Sequence, residues 1–92
     1  MSNELSIPKV VQQDPSAIEI LRVWEGEKIT VRLQNGKESD PAGWGILLVD
    51  IARHYAKFRE TQSIPASKIL SRIKEGFDAE WTSPTDSPTQ ID

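Results

Sequence analysis

The chain has 92 residues, of which 37% are hydrophobic and 27% charged, and its formal net charge is −3. This length allows one small domain and excludes a two-domain enzyme, and the absence of cysteine excludes disulfides and thiolate metal sites. The longest apolar run, Ile46 to Val49, is too short to span a bilayer. Residues 1–9 lack the charged start and apolar stretch of a signal peptide, so we expect a cytoplasmic protein.

The two ends of the chain differ in composition from its middle. Residues 1–15 hold scattered apolar residues and two prolines, and residues 82–92 consist mostly of Thr, Ser, Pro and Asp. Such stretches bury too little apolar surface to offset the entropy of ordering them. We therefore predict a flexible N-terminal segment (1–15), a single α+β domain (16–81) and a disordered C-terminal tail (82–92). The predicted domain has ten acidic and ten basic residues, so the net charge resides in the ends.

The predicted domain begins with two strand-like segments. Residues 17–25 and 28–34 both alternate in polarity and are rich in β-branched and aromatic residues. The intervening Gly26-Glu27 suits a two-residue type II′ turn, in which glycine takes a positive φ at the first central position. The sequence therefore predicts an antiparallel hairpin.

The predicted turn also sets the register of the hairpin. It places Trp24 opposite Ile29 and Arg22 opposite Val31, which gathers most apolar side chains on one face. That face is predicted to carry Ile18, Ile20, Trp24, Ile29, Val31 and Leu33, with Arg22 among them. Leu21 and Val23 fall on the opposite face and are candidate interface residues, since two strands alone leave two open edges.

A helix is predicted from the Asp40-Pro41 pair to about Glu60. An Asp N-cap followed by proline is a helix start signal, and apolar residues then recur at helical spacing. They are Trp44, Leu47, Leu48, Ile51, Tyr55 and Phe58. Ile46 and Val49 lie roughly opposite this stripe, and a helix that is apolar on two sides is usually covered on both.

A second helix is predicted from Ser63 or Pro65 to about Trp81, again from helical periodicity. The element order is then ββαα. We expect a two-layer α+β fold in which the antiparallel β-hairpin is covered on one face by the two helices.

Four residues form the candidate ligand or structural polar cluster: Arg22, Asp50, His54 and Trp44. A buried charge needs a partner, and Asp50 is the natural one for Arg22, with Glu19 and Asp40 as alternatives. A structural ion pair and an anion-binding site both fit this residue set. Asp50 and His54 are four residues apart, which suits either an acid/base pair or a pair that supports the helix. An exposed His54 and an Arg22 closed off by carboxylates would count against a ligand site.

Other site chemistries find little support in the sequence. We predict no metal site and no cofactor, since one histidine, no cysteine and no Asp-rich loop are present. The glycines of residues 39–45 lack the lysine and hydroxyl residue of a phosphate-binding loop. Basic residues alternate with acidic ones, so nucleic acid is an unfavoured partner.

Three segments together resemble an uncharacterised family of small bacterial proteins defined as a domain of unknown function. They are Glu19-Ile-Leu-Arg22-Val-Trp24, Pro41-Ala-Gly-Trp44-Gly45 and Leu48-Val-Asp50-Ile-Ala-Arg53-His54-Tyr-Ala56. The resemblance covers about residues 17–81. It implies that Arg22, Trp24, Trp44, Asp50, Arg53 and His54 belong to the family pattern, and it implies no catalytic role for any of them.

The leading hypothesis is a non-enzymatic, self-associating domain that forms a homodimer. Either the open hairpin edge, near Leu21 and Val23, or the patch of Ile46 and Val49 is the candidate interface. The alternative is a small-ligand-binding or enzymatic domain that uses Arg22, Asp50 and His54. A third hypothesis is an adaptor whose acidic tail, residues 82–92, binds a larger protein partner.

Overall fold

The structure is a computed structural model that describes residues 3–37, 39–85 and 89–90. The chain divides into two compact units. The first comprises the described residues up to Gly36 together with Gln90, and the second runs from Lys37 to Thr89.

The first unit contains a short N-terminal helix and a hairpin. Helix α1 spans Lys9–Gln12, and strands β1 (Leu21–Glu25) and β2 (Ile29–Leu33) pair antiparallel. A short strand, β3 (Thr89–Gln90), follows β2 in the sheet order β1-β2-β3. The helix α1 lies in the segment predicted to be flexible, and β3 lies in the predicted tail. Part of that tail, residues 86–88 and 91–92, is outside the described residues.

The predicted register of the hairpin is wrong by one residue. Glu25 is opposite Ile29, so three residues rather than two form the loop, and Arg22 is opposite Arg32 rather than Val31. Among the described glycines none has a positive φ, so the predicted type II′ turn does not form. Instead the Gly26 N–H donates to the Lys28 carbonyl oxygen at 3.2 Å.

The observed register separates the hairpin faces more cleanly than the predicted one. Directly opposed residues share a face, so Leu21 lies beside Leu33 and Val23 beside Val31. The other face carries Arg22, Trp24, Thr30 and Arg32. The sequence predicted that Val31 shares a face with Arg22. In the structure Val31 shares a face with Val23, and Arg32 takes the place beside Arg22.

The second unit is a pair of helices. Helix α2 spans Pro41–Arg59 and helix α3 spans Ala66–Thr82, close to the predicted bounds. The Asp40 N-cap is confirmed, because its Oδ1 accepts from the Ala42 N–H at 3.0 Å. The carboxylate of Glu60, at the C-terminal end of α2, caps the first residue of α3: its Oε2 accepts from the Ala66 N–H at 3.3 Å. No described helix is both long and apolar enough to cross a membrane.

The core of the described chain is small. Ala56 is the one buried residue among the described ones. The two helices contact each other, and their half-buried side chains are Trp44, Leu47, Ala52, Ala66, Ile69, Leu70 and Ile73. The antiparallel hairpin followed by two long helices confirms the α+β class and the ββαα order. Coverage of one hairpin face by the helices stays a prediction.

Candidate functional site

Arg22 is held by two carboxylates of the first unit. Its Nε donates to Glu19 Oε2 at 2.7 Å and its guanidinium Nη1 to Glu4 Oε2 at 3.0 Å. The hydrogen bond from Arg22 lowers the pKa of Glu19 below its usual range, and the same bond raises that of Arg22. Glu19 was one of the alternatives from the sequence. Glu4 was not, since it lies in a segment without any periodic pattern.

Asp50 and His54 come together on one exposed face of α2. The His54 Nδ1 lies 2.9 Å from the Asp50 carbonyl oxygen and 3.5 Å from its Oδ2. A carbonyl can only accept, so Nδ1 carries the proton in that contact. The His54 side chain is 79% exposed, and an exposed pair of this kind supports a helix only weakly.

The fourth residue of the predicted cluster, Trp44, is half-buried on α2. The structure thus brings Asp50 and His54 together, while Arg22 belongs to the first unit and meets Glu4 and Glu19.

An open recess of about 480 Å³ lies beside Arg22 in the hairpin. Arg22 and Arg32 are directly opposed in the strand pairing and both line it, together with Trp24 and Gln34. Gln34 is held in place, since its side-chain amide donates to the Glu19 carbonyl oxygen at 2.7 Å. Like charges directly opposed in a sheet repel each other, and Arg32 makes no hydrogen bond or ion pair with a described residue. Glu19 also lines the recess and pairs with Arg22, so Arg32 is the cation of the lining that no described carboxylate pairs with.

Sequence reasoning missed Arg32 because the predicted register placed it on the other face from Arg22. A pattern in the sequence could have revealed it: in each strand one arginine stands between two aliphatic residues. A register that sets the two arginines opposite each other also sets the aliphatic residues opposite each other. A three-residue loop also brings the aliphatic residues of the two strands onto one face, at the cost of grouping the arginines.

The candidate interface residues are exposed to different degrees. Ile46 is 72% exposed, Val49 51% and Val23 54%, whereas Leu21 is half-buried. An open groove of about 410 Å³ runs along α2 beside Ile46 and Val49. We call it the α2 groove, and it is lined by Ala42, Gly45, Ile46, Val49, Asp50 and Arg53.

The described part of the chain contains no cluster of side chains suited to a metal ion. No three His, Cys, Asp or Glu side chains lie together there in a way that could hold an ion.

Comparison with known proteins places these features in a family. A family model described as Domain of unknown function (DUF5076) matches residues 4–85, and no curated protein matches the chain. Among solved structures, the chain is similar to "Structure of a putative pyruvate dehydrogenase from the photosynthetic bacterium Rhodopseudomonas palustrus CGA009". The two are 35% identical with a TM-score of 0.78, and the match covers 100% of this chain and 96% of that one.

Proposed function

We propose that this chain, which belongs to the family Domain of unknown function (DUF5076), is a non-enzymatic interaction domain that self-associates as a homodimer. The observation that carries the proposal is the exposure of large apolar side chains. Ala56 is the one buried residue of the described chain, whereas Ile46 is 72% exposed and Trp81 76%. Complete burial of one such side chain stabilises an assembly by about 1.5–3 kcal/mol.

The chemistry of the polar cluster supports a binding role over a catalytic one. The Arg22 guanidinium already contacts two carboxylates, and the Asp50–His54 pair lies on an exposed face of α2. The Asp50–His54 pair is open to solvent, with the two side chains 64% and 79% exposed, whereas a substrate site is usually concave and encloses its ligand.

Two surfaces could carry the self-association. In the hairpin, β1 has β2 as its one strand neighbour among the described residues, and an open strand edge can pair with the same edge of a second copy. In the helical unit, the α2 groove exposes Ile46 and Val49.

Light scattering coupled to size-exclusion chromatography tests the proposal on the full chain. We expect a mass near twice 10.3 kDa at tens of micromolar, falling on dilution. A mass of one chain across that range would overturn the proposal.

A second candidate function is the binding of a small carboxylate ligand in the recess beside Arg22, a different site from the predicted cluster of Arg22, Asp50 and His54, because the exposed His54 and the two carboxylates on Arg22 count against that cluster. What supports it is the recess beside Arg22, where Arg32, which pairs with none of the residues that the structure describes, lies opposite a second guanidinium, and Trp24 lines the wall. Arginine suits carboxylates because its planar fork matches their geometry. The similar solved structure is described as that of a pyruvate dehydrogenase, and pyruvate is a carboxylate.

Titration with pyruvate, followed by Trp fluorescence and by NMR of the arginine side chains, tests this second candidate. We expect saturable shifts that Arg32→Gln abolishes and that Lys68→Gln, a matched loss of charge on α3, leaves intact. Equal responses of the two variants would contradict a recess site.

A further inference from the structure

The segment that follows β2 contains the dipeptide Asn35-Gly36, in which a carboxamide and a backbone nitrogen are placed to react with each other. Attack of the Gly36 nitrogen on the Asn35 Cγ closes a five-membered ring, and asparagine counts among the heat-labile residues of proteins. The reaction requires an asparagine side chain that is free to rotate, a nitrogen that no hydrogen bond holds, and little bulk on the residue that follows.

The first two requirements are met in the described chain. Asn35 is exposed, and its side chain makes no hydrogen bond with any residue that the structure describes. The Gly36 N–H donates to no acceptor in residues 3–37, 39–85 and 89–90. Both residues lie outside the helices and strands, so no ladder of backbone hydrogen bonds has to open before the two groups meet.

The third requirement is met because the packing here calls for a glycine. A Cβ at position 36 would lie 3.1 Å from the Ile20 Cγ2, closer than two carbon atoms approach at their optimal separation. The Ile20 carbonyl oxygen accepts from the Gln34 N–H at 3.1 Å, which keeps Ile20 beside this segment. The residue type that hinders ring closure least is therefore the one that fits at position 36.

We propose that Asn35 is a site of spontaneous covalent modification in the folded chain. The Gly36 nitrogen bonds to the Asn35 Cγ and gives up its proton. The Cγ–N bond of the carboxamide breaks, and its nitrogen leaves with the electron pair and that proton as ammonia. Water then opens the resulting succinimide. Attack of water at Cγ gives aspartate, whereas attack at the main-chain carbonyl carbon gives isoaspartate, in which the chain runs through Cγ.

Either product changes the segment that joins the two compact units, the first of which reaches Gly36. A neutral carboxamide becomes a carboxylate, so the net charge falls by one. In isoaspartate the main chain also gains a methylene group directly before Gly36, which alters the position of Gly36 against Ile20. The inference does not depend on self-association or on ligand binding.

Ageing of the purified full chain at neutral pH in water labelled with heavy oxygen tests the proposal. The chain has two asparagines, Asn3 and Asn35, and peptide mass spectrometry follows both in one sample. We expect half of Asn35 to be converted, with ammonia released and one labelled oxygen gained, before any loss at Asn3 is detected. Asn3 precedes Glu4, whose side chain crowds the attacking nitrogen. Isoaspartate, recognised by electron-transfer fragmentation, should appear beside aspartate, since both come from one succinimide.

Asn35→Gln is the matched control, because its longer side chain cannot close the five-membered ring. The wild-type chain should develop a more acidic species on ion-exchange chromatography as it ages, and Asn35→Gln should not. Equal losses at Asn3 and Asn35, or aspartate without isoaspartate, would refute the ring closure. Conversion of Asn35 in urea but not in the folded chain would show that the fold protects the dipeptide, and that result also overturns the proposal.

Discussion

Gly26 begins the loop between β1 and β2 without using the conformational freedom of glycine. Its φ is not positive, and no atom lies within 4 Å of the place that a Cβ would occupy. We predict that Gly26→Ala raises the free energy of unfolding by about 0.4–1 kcal/mol, because alanine reduces the entropy of the unfolded chain. Urea denaturation followed by circular dichroism measures it.

Gly36 provides the matched control for that substitution. A Cβ there would lie 3.1 Å from the Ile20 Cγ2, so Gly36→Ala forces the side chain of Ile20 to shift and should not give the same gain. A destabilised Gly26→Ala protein would instead favour the type II′ turn that the sequence suggested, since that turn requires a positive φ at this position.

At the scale of elements, Glu60 links the two helices of the second unit. Its carboxylate accepts from Lys57 Nζ at 3.0 Å and from the Ala66 N–H at 3.3 Å. Both hydrogen bonds lower the pKa of Glu60, and the bond from Lys57 has the larger effect. A carboxyl with a lowered pKa in the folded state stabilises the fold above its unfolded-state pKa, and this contribution is lost as the pH falls through the folded-state value.

We therefore predict that Glu60→Gln unfolds more easily than wild type at neutral pH, that the difference shrinks as the pH falls below about 4.3, and that it vanishes below the lowered folded-state pKa. Thermal unfolding by circular dichroism along a pH series measures it. Glu75→Gln, which removes the pair of Glu75 with Arg72 on α3 but caps no helix, should show a smaller difference. A constant gap between wild type and Glu60→Gln down to acidic pH would contradict the capping role.

The helices could be predicted from sequence more fully than the hairpin, for a physical reason. The start of α2 depends on Asp40 and Pro41, two adjacent residues whose preferences are local. The hairpin register depends on how many residues the loop takes up, and Gly26-Glu27 is compatible with loops of two or three. Glu4 could not be assigned to Arg22 because the two are 18 positions apart and no pattern joins them. The Asp50–His54 pair was predictable, since a four-residue spacing on a helix fixes proximity.

At the scale of the whole molecule, the exposed apolar side chains and the placement of charge both favour self-association. The residues from 16 to 81 are formally neutral, so association of two copies meets little electrostatic repulsion. A core with Ala56 as its one buried residue among those described is small for a chain that must offset its conformational entropy. Burial of Ile46 and Val49 against a second copy would add apolar area where the described chain has least.

A homodimer whose folding and association are coupled becomes more stable as its concentration rises. We predict that the thermal midpoint of the wild-type chain increases by several degrees over a roughly hundredfold range of protein concentration. Ile46→Asp places a charge at the centre of the α2 groove on a side chain that is 72% exposed in the single chain, so it should lower the midpoint and remove its dependence on concentration. Phe58→Asp, at the 82% exposed site outside the groove, should keep that dependence. A wild-type midpoint that stays constant with concentration would contradict coupled folding and association, and a dependence that survives Ile46→Asp would assign the contact to another surface.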